Sequence, residues 1–225
     1  MDDQGLDRQG KGLDRRTFIK RTGMAAGGVA LLGSLPAALR SPPAVAQAAG
    51  GALSAGEMKT LEALLSQLMP KDALGPGAVE LGVPEYISSS LTTSYAPLLS
   101  TYKSFLATLD KAAGSAGADS FEDLSGGAQV KLLEGLEEGK AAGLSSAEKA
   151  EVEATFPLVL EHMREGMFGD PMYGGNKGLA GWELIGYPGI QLAATEPVQQ
   201  VGAKVPPTGM TAENYGGEPY DGTPV

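Results

Sequence analysis

Between residues 54 and 167 apolar side chains recur at intervals of three and four, and no stretch shows sustained apolar/polar alternation flanked by hairpin turns. This periodicity restricts the chain to helices. Ser54 and Glu57 have the spacing of a capping box, with Leu53 and Met58 placed as a hydrophobic staple. Met58, Leu61, Leu64, Leu65 and Leu68 then share one face, and Pro70 ends the segment. Pro84 sits at a first helical position, opening a helix through Ile87 and Leu91, and Pro97 opens another. The latter carries Leu98, Tyr102, Phe105, Leu106 and Leu109, and Gly114 to Gly117 stop it. Ser125 heads a segment with Val130, Leu132, Leu133 and Leu136. A second capping box, Ser145 and Glu148, opens one with Val152, Thr155, Phe156, Val159, Leu160 and Met163 on one side. Pro157 lies inside that segment, so a kink or two short helices are expected there. The fold class is all-α: an irregular bundle of about five helices spanning residues 47–167.

After residue 167 the character changes. Residues 168–189 hold seven glycines and the chain's single tryptophan, Trp182. Such glycine density implies positive-φ or closely approached backbone, which is entropically costly unless packing pins it. Two readings of this region, residues 168–192, stay open. In one it is a rigid recognition surface, with Tyr173 and Trp182 as anchors and the glycines admitting a partner backbone. In the other it is a self-packing Ω-like loop closing one end of the bundle. Truncating Trp182 separates them, since the first expects lost binding with folding spared and the second expects lost folding. Residues 193–225, rich in proline and glycine without periodic apolar signal, form an extended or disordered tail.

Composition narrows the chemistry. With no cysteine the chain holds no iron–sulfur cluster, thiolate zinc site, disulfide or cysteine nucleophile. One histidine, His162, leaves no multi-histidine metal site and no Ser-His-Asp arrangement elsewhere; it reads as a surface or half-buried helical side chain paired with Glu161 or Glu165. No G-x-G-x-x-G, P-loop or G-x-S-x-G pattern occurs. Asp170 and Asn176 have the separation of two calcium-loop ligands, but no further carboxylate lies between them. No catalytic, cofactor or metal residue is therefore assigned. A net charge of −10 disfavours nucleic acid as a partner.

The first 46 residues read as a twin-arginine export signal. Arg15, Arg16, Phe18 and Lys20 form the basic motif, a moderately apolar glycine-rich stretch follows from Gly23 to Leu39, and Ala44 and Ala46 suit a signal peptidase groove. The glycines, Pro36 and Arg40 make this stretch a weak spanning helix, so cleavage after Ala46 is expected and retention as an anchor is the alternative. Cleavage removes seven of the 17 basic and four of the 27 acidic residues, leaving a net charge of −13. Twin-arginine export carries chains already folded, usually around a cofactor, yet this chain offers no cofactor ligands. It therefore binds a cofactor without covalent ligation or travels with a protein that does.

Three motifs carry a resemblance. Gly82-Val83-Pro84-Glu85-Tyr86-Ile87, Phe121-Glu122-Asp123-Leu124-Ser125, and Gly169-Asp170-Pro171-Met172-Tyr173-Gly174-Gly175-Asn176 followed by Gly181-Trp182-Glu183-Leu184-Ile185-Gly186-Tyr187-Pro188-Gly189 resemble the gluconate 2-dehydrogenase subunit 3 family over residues 54–192. Pro157, and Lys177-Gly178 where an acidic residue is more usual, depart from its pattern. The resemblance implies a non-catalytic accessory subunit of a periplasmic sugar or sugar-acid dehydrogenase. Its partners would be an FAD-dependent large catalytic subunit of the glucose-methanol-choline type, a multi-haem cytochrome c subunit, and the twin-arginine translocase. FAD would belong to the partner. The docking surface expected on this chain comprises Asp170, Tyr173, Gly174, Gly175, Asn176, Gly181, Trp182 and Gly186. The competing reading is a free-standing periplasmic sugar-binding or sugar-modifying protein, with Trp182 and Tyr173 as stacking platforms and Asp170 and Asn176 as polar contacts.

Overall fold

The computed structural model describes residues 51–193, 195–203 and 205–214. The export-signal residues Arg15, Arg16, Phe18 and Lys20, and the cleavage residues Ala44 and Ala46, lie outside them. The described chain forms six α-helices: α1 (Ala55–Leu68), α2 (Val83–Ser90), α3 (Leu99–Ser115), α4 (Gly126–Glu137), α5 (Ser146–Phe168) and α6 (Ala180–Ile185). No strand occurs among the described residues; one isolated bridge joins Asp72 and Gly75.

Both capping boxes form. The Ser54 N–H donates to Glu57 Oε2 at 2.7 Å and Ser145 N–H to Glu148 Oε2 at 2.7 Å, each serine side chain accepting the reciprocal N–H at 3.3 Å. Lys111 donates to Glu148 as well, and with Ser145 it holds that carboxyl down at about 2. Ser125 occupies the cap position of α4 without a side-chain cap bond.

The helices converge because their stripes must be removed from water. Leu61, Leu64 and Leu65 of α1, Ile87 of α2, Tyr102, Phe105, Leu106 and Leu109 of α3, and Val159 and Met163 of α5 are fully or almost fully buried in one cluster. α1 packs on α2 and α3, both of which reach α5, while α4 bridges α1 and α5. The Phe121 motif closes the loop between α3 and α4: Phe121 is buried, its N–H donates to Asp110 Oδ1, and its carbonyl accepts from Gln129 Nε2. Thr60 and Gln67 of α1 donate to Asp110 and Gln129, tying the loop to the first helix.

Of the two outcomes expected at Pro157, a kink or two short helices, the second does not occur. α5 is a single 23-residue helix with Pro157 inside. Its buried positions, Val152, Thr155, Val159, His162, Met163, Gly166 and Met167, follow a helical period past the proline without a break. Pro157 and Glu153 are both exposed, so the proline lies on the outer side of the helix, where water can supply the donor that the Glu153 carbonyl loses.

Candidate functional site

The glycine-rich block is built against the C-terminal end of α5. A helix leaves its last carbonyls without intrahelical donors, and a buried end needs substitutes. Gly169 N–H donates to Glu165 O at 2.7 Å, closing the last turn. Asn176 supplies two more bonds: its backbone N–H donates to Gly166 O at 2.7 Å and its side-chain Nδ2 to Gly169 O at 2.9 Å. The Trp182 indole N–H donates to Phe168 O at 2.8 Å. Asn176 Oδ1 accepts from Gly181 N–H at 2.8 Å, which fixes the first turn of α6 to the same side chain. Asn176 is fully buried and adopts a left-handed conformation, φ 48° and ψ 43°, which Asn tolerates better than most residues.

This clasp leaves no room at two glycines. A Cβ at Gly175 would fall 2.1 Å from Gly166 O, and one at Gly181 would fall 1.8 Å from Met167 O. Gly186 has a different role. It ends α6 at φ 68° with its N–H on Glu183 O, while Tyr187 N–H reaches Trp182 O, the paired bonds of a Schellman motif. Trp182 and Tyr187 stand edge to face with centroids 4.8 Å apart, the apolar contact that accompanies such an ending. The block also meets the first motif: Lys177 N–H donates to Leu81 O, and the Lys177 stem covers Gly82, whose φ of 78° caps α2. Two of the three sequence motifs are thus one structural unit.

Of the expected docking residues, the structure brings Gly175, Asn176, Gly181 and Trp182 together inside the clasp, where Trp182 is 6% exposed. Asp170 caps the 3-10 turn Pro171–Tyr173 through Oδ1 and accepts Ala212 N–H on Oδ2 at 2.6 Å. Gly174 closes that turn in a left-handed conformation. Tyr173 alone among the expected aromatic anchors has a solvent-facing surface, at 38%. The returning chain continues the Asp170 contact: Thr208 donates from its N–H to Pro188 O and from its hydroxyl to Pro188 O and Ile190 O, and Ile190 N–H donates to Met210 O. Residues 208–212 of the tail therefore lie back along the block.

A second polar assembly, unexpected from the sequence, lies where α2, α3 and α5 meet. His162 is buried, and its Nδ1 is 2.7 Å from the Tyr102 hydroxyl. Its ring is stacked on Tyr95 with centroids 4.1 Å apart. Glu165 Oε2 accepts from both Tyr86 and Tyr95 at 3.0 and 2.9 Å. The expected histidine–carboxylate pair is not made; tyrosines take both groups. Burial raises all three tyrosine hydroxyls, so Tyr102 keeps its proton and is hydrogen-bonded to the imidazole Nδ1, with the donor set by the imidazole tautomer. Burial also raises Glu165, against the opposing effect of its two tyrosine donors, and lowers His162 to about 4.

These shifts set a signed pH dependence. The unfolded imidazole charges near 6.5 and the folded one near 4, so His162 withdraws stability as pH falls between those values, on the order of 3 kcal/mol in all. Glu165 opposes it, because a carboxyl raised in the fold contributes stability as pH falls through its folded pKa. Urea midpoints of wild type and His162→Phe between pH 7 and 4 isolate the imidazole. The variant is expected to gain on wild type steadily towards acid; a gap independent of pH rules out the buried neutral histidine.

Among the described residues no group of three or more His, Cys, Asp and Glu could hold a metal, and no helix is long and apolar enough to cross a membrane. The family model described as gluconate 2-dehydrogenase subunit 3 matches residues 55–189, more than half of the chain and every helix from α1 to α6. No curated protein and no solved structure matches it.

Proposed function

The chain belongs to the gluconate 2-dehydrogenase subunit 3 family, and from that premise we propose that it is a non-catalytic accessory subunit that binds, helps mature and co-exports an FAD-dependent sugar or sugar-acid dehydrogenase. The observation that carries this reading is the position of the family match, residues 55–189, downstream of a twin-arginine sequence at Arg15 and Arg16. A folded, flavin-loaded catalytic subunit leaves the cytoplasm on this chain's signal and works in the periplasm, passing electrons to a cytochrome c subunit. FAD stays with the partner. The sugar-binding alternative is not favoured: of its stacking platforms Trp182 is buried and only Tyr173 faces solvent, and of its polar contacts Asn176 is buried and bonded within the clasp and both Asp170 oxygens have backbone partners.

Replacing Arg15 and Arg16 together by lysine tests co-export, because an ammonium cannot reproduce planar guanidinium contacts. Both this chain and the dehydrogenase subunit are expected to be retained in the cytoplasm. Normal periplasmic dehydrogenase activity in the double variant would refute the proposal.

A further inference from the structure

Among the described residues, the large apolar side chains left exposed are Leu74, Tyr173, Ile185, Tyr187, Leu192 and Val201. All lie in the turn before α2 or beyond the end of α5. None is on the outer faces of α1 to α5. Three of these residues, Leu74, Ile185 and Tyr187, belong to segments that meet at α6. Leu74 sits in the Asp72–Gly75 turn, and a Cβ at Gly75 would fall 2.6 Å from Leu184 Cδ2, so the turn abuts α6. Ile185 follows Leu184 at the end of α6, and Tyr187 stands against Trp182. Leu74 is 70%, Ile185 57% and Tyr187 43% exposed.

Clustered exposed apolar residues mark contact surfaces, and here charge limits the occupant. Lys71 and Asp72 beside Leu74 offset one another, leaving the exposed Glu183 next to Ile185. The chain carries −10 overall and −13 without its first 46 residues, so a second copy would bring like charge against like, as would an anionic bilayer. We propose that Leu74, Ile185 and Tyr187 form the face on which the flavin-bearing large subunit docks, through an apolar patch with a cationic margin. This inference rests on the accessory-subunit reading and moves the contact from the buried residues Trp182 and Asn176 to the rim they support.

The test uses the full chain co-expressed with the FAD-dependent subunit of the same dehydrogenase, with affinity measured on the purified pair. Leu74→Lys and Ile185→Lys place charge in exposed positions, and lysine suits a helix C-terminus at 185. Each is expected to keep the wild-type melt and weaken binding tenfold or more. Glu183→Lys should weaken it several-fold at low salt and less at high salt. If wild type binds and both lysine variants bind equally well, the patch is wrong while the subunit reading stands. If wild type itself fails to bind, the subunit reading falls first. Tighter binding by Glu183→Lys, or a concentration-dependent dimer of the isolated chain abolished by Ile185→Lys, overturns the proposed occupant.

Discussion

Trp182→Ala is expected to destabilise the protein by about 3–5 kcal/mol, the usual cost of emptying a buried aromatic site. For a chain of this size that lowers the melting temperature by roughly 10 °C or more. Two losses combine. The indole leaves a cavity between α6 and the end of α5, and Phe168 O loses its donor in a half-buried place. Trp182→Phe separates them: it retains most of the apolar volume but orphans the carbonyl, so about 1–3 kcal/mol is expected. Tyr187→Ala removes only the edge-to-face contact of a partly exposed ring, about 1 kcal/mol. Thermal and urea unfolding followed by circular dichroism ranks the three. A wild-type melt for Trp182→Ala would mean that the indole is a free docking anchor after all. Partner binding alone cannot decide this, because a clasp that opens also disturbs the rim.

What could be read from the sequence was local. Ser54 with Glu57 and Ser145 with Glu148 act over three residues, so spacing alone places both helix starts. The leucines of α1 bury as their period requires. Pro157 was harder, since a proline splits a helix or is absorbed according to which face it occupies. That face is decided by the packing of Val152, Val159 and Met163 against other helices. His162 finds its hydroxyl partner 60 residues away on α3, so its adjacent glutamates gave a misleading cue. The glycine density did signal pinned backbone, yet not what pins it. Gly166 O and Met167 O become visible as the reason for Gly175 and Gly181 only once the block is folded onto α5. Trp182 looked like a surface anchor because its neighbours are polar and small; its indole reaches back 14 residues to Phe168. Ile185 and Tyr187 carry a usable sequence signal: an apolar pair astride Gly186 is the ending of a very short helix, and such an ending cannot hide every side chain.

Asn176 should be the most sensitive position in the block, because one side chain and its own N–H bond three backbone groups: Gly166 O and Gly169 O at the end of α5 and Gly181 N–H in α6. Asn176→Ala leaves Gly169 O and Gly181 N–H without these partners and places a Cβ residue with no compensating bonds at φ 48°. Orphaning the buried Gly181 N–H and the half-buried Gly169 O costs about 1–3 kcal/mol each and the left-handed conformation about 1 kcal/mol, so a loss of about 3–7 kcal/mol is expected. Asn176→Gly removes the same two bonds without the backbone strain and should recover about 1 kcal/mol of that. Asn176→Asp gives a signed result. At neutral pH its carboxylate still accepts from Gly181 N–H but faces the Gly169 carbonyl with no proton to donate; once protonated it can do both. Its stability relative to Asn176→Ala should therefore rise as pH falls. Because Trp182 is the single tryptophan, its emission reports on the clasp alone while circular dichroism reports on the bundle. In Asn176→Ala the fluorescence transition should precede the helical one in urea, since α6 can detach while α1 to α5 keep their shared core. Coincident transitions at the wild-type midpoint would show that Asn176 fills space at the end of α5 without holding the block to it.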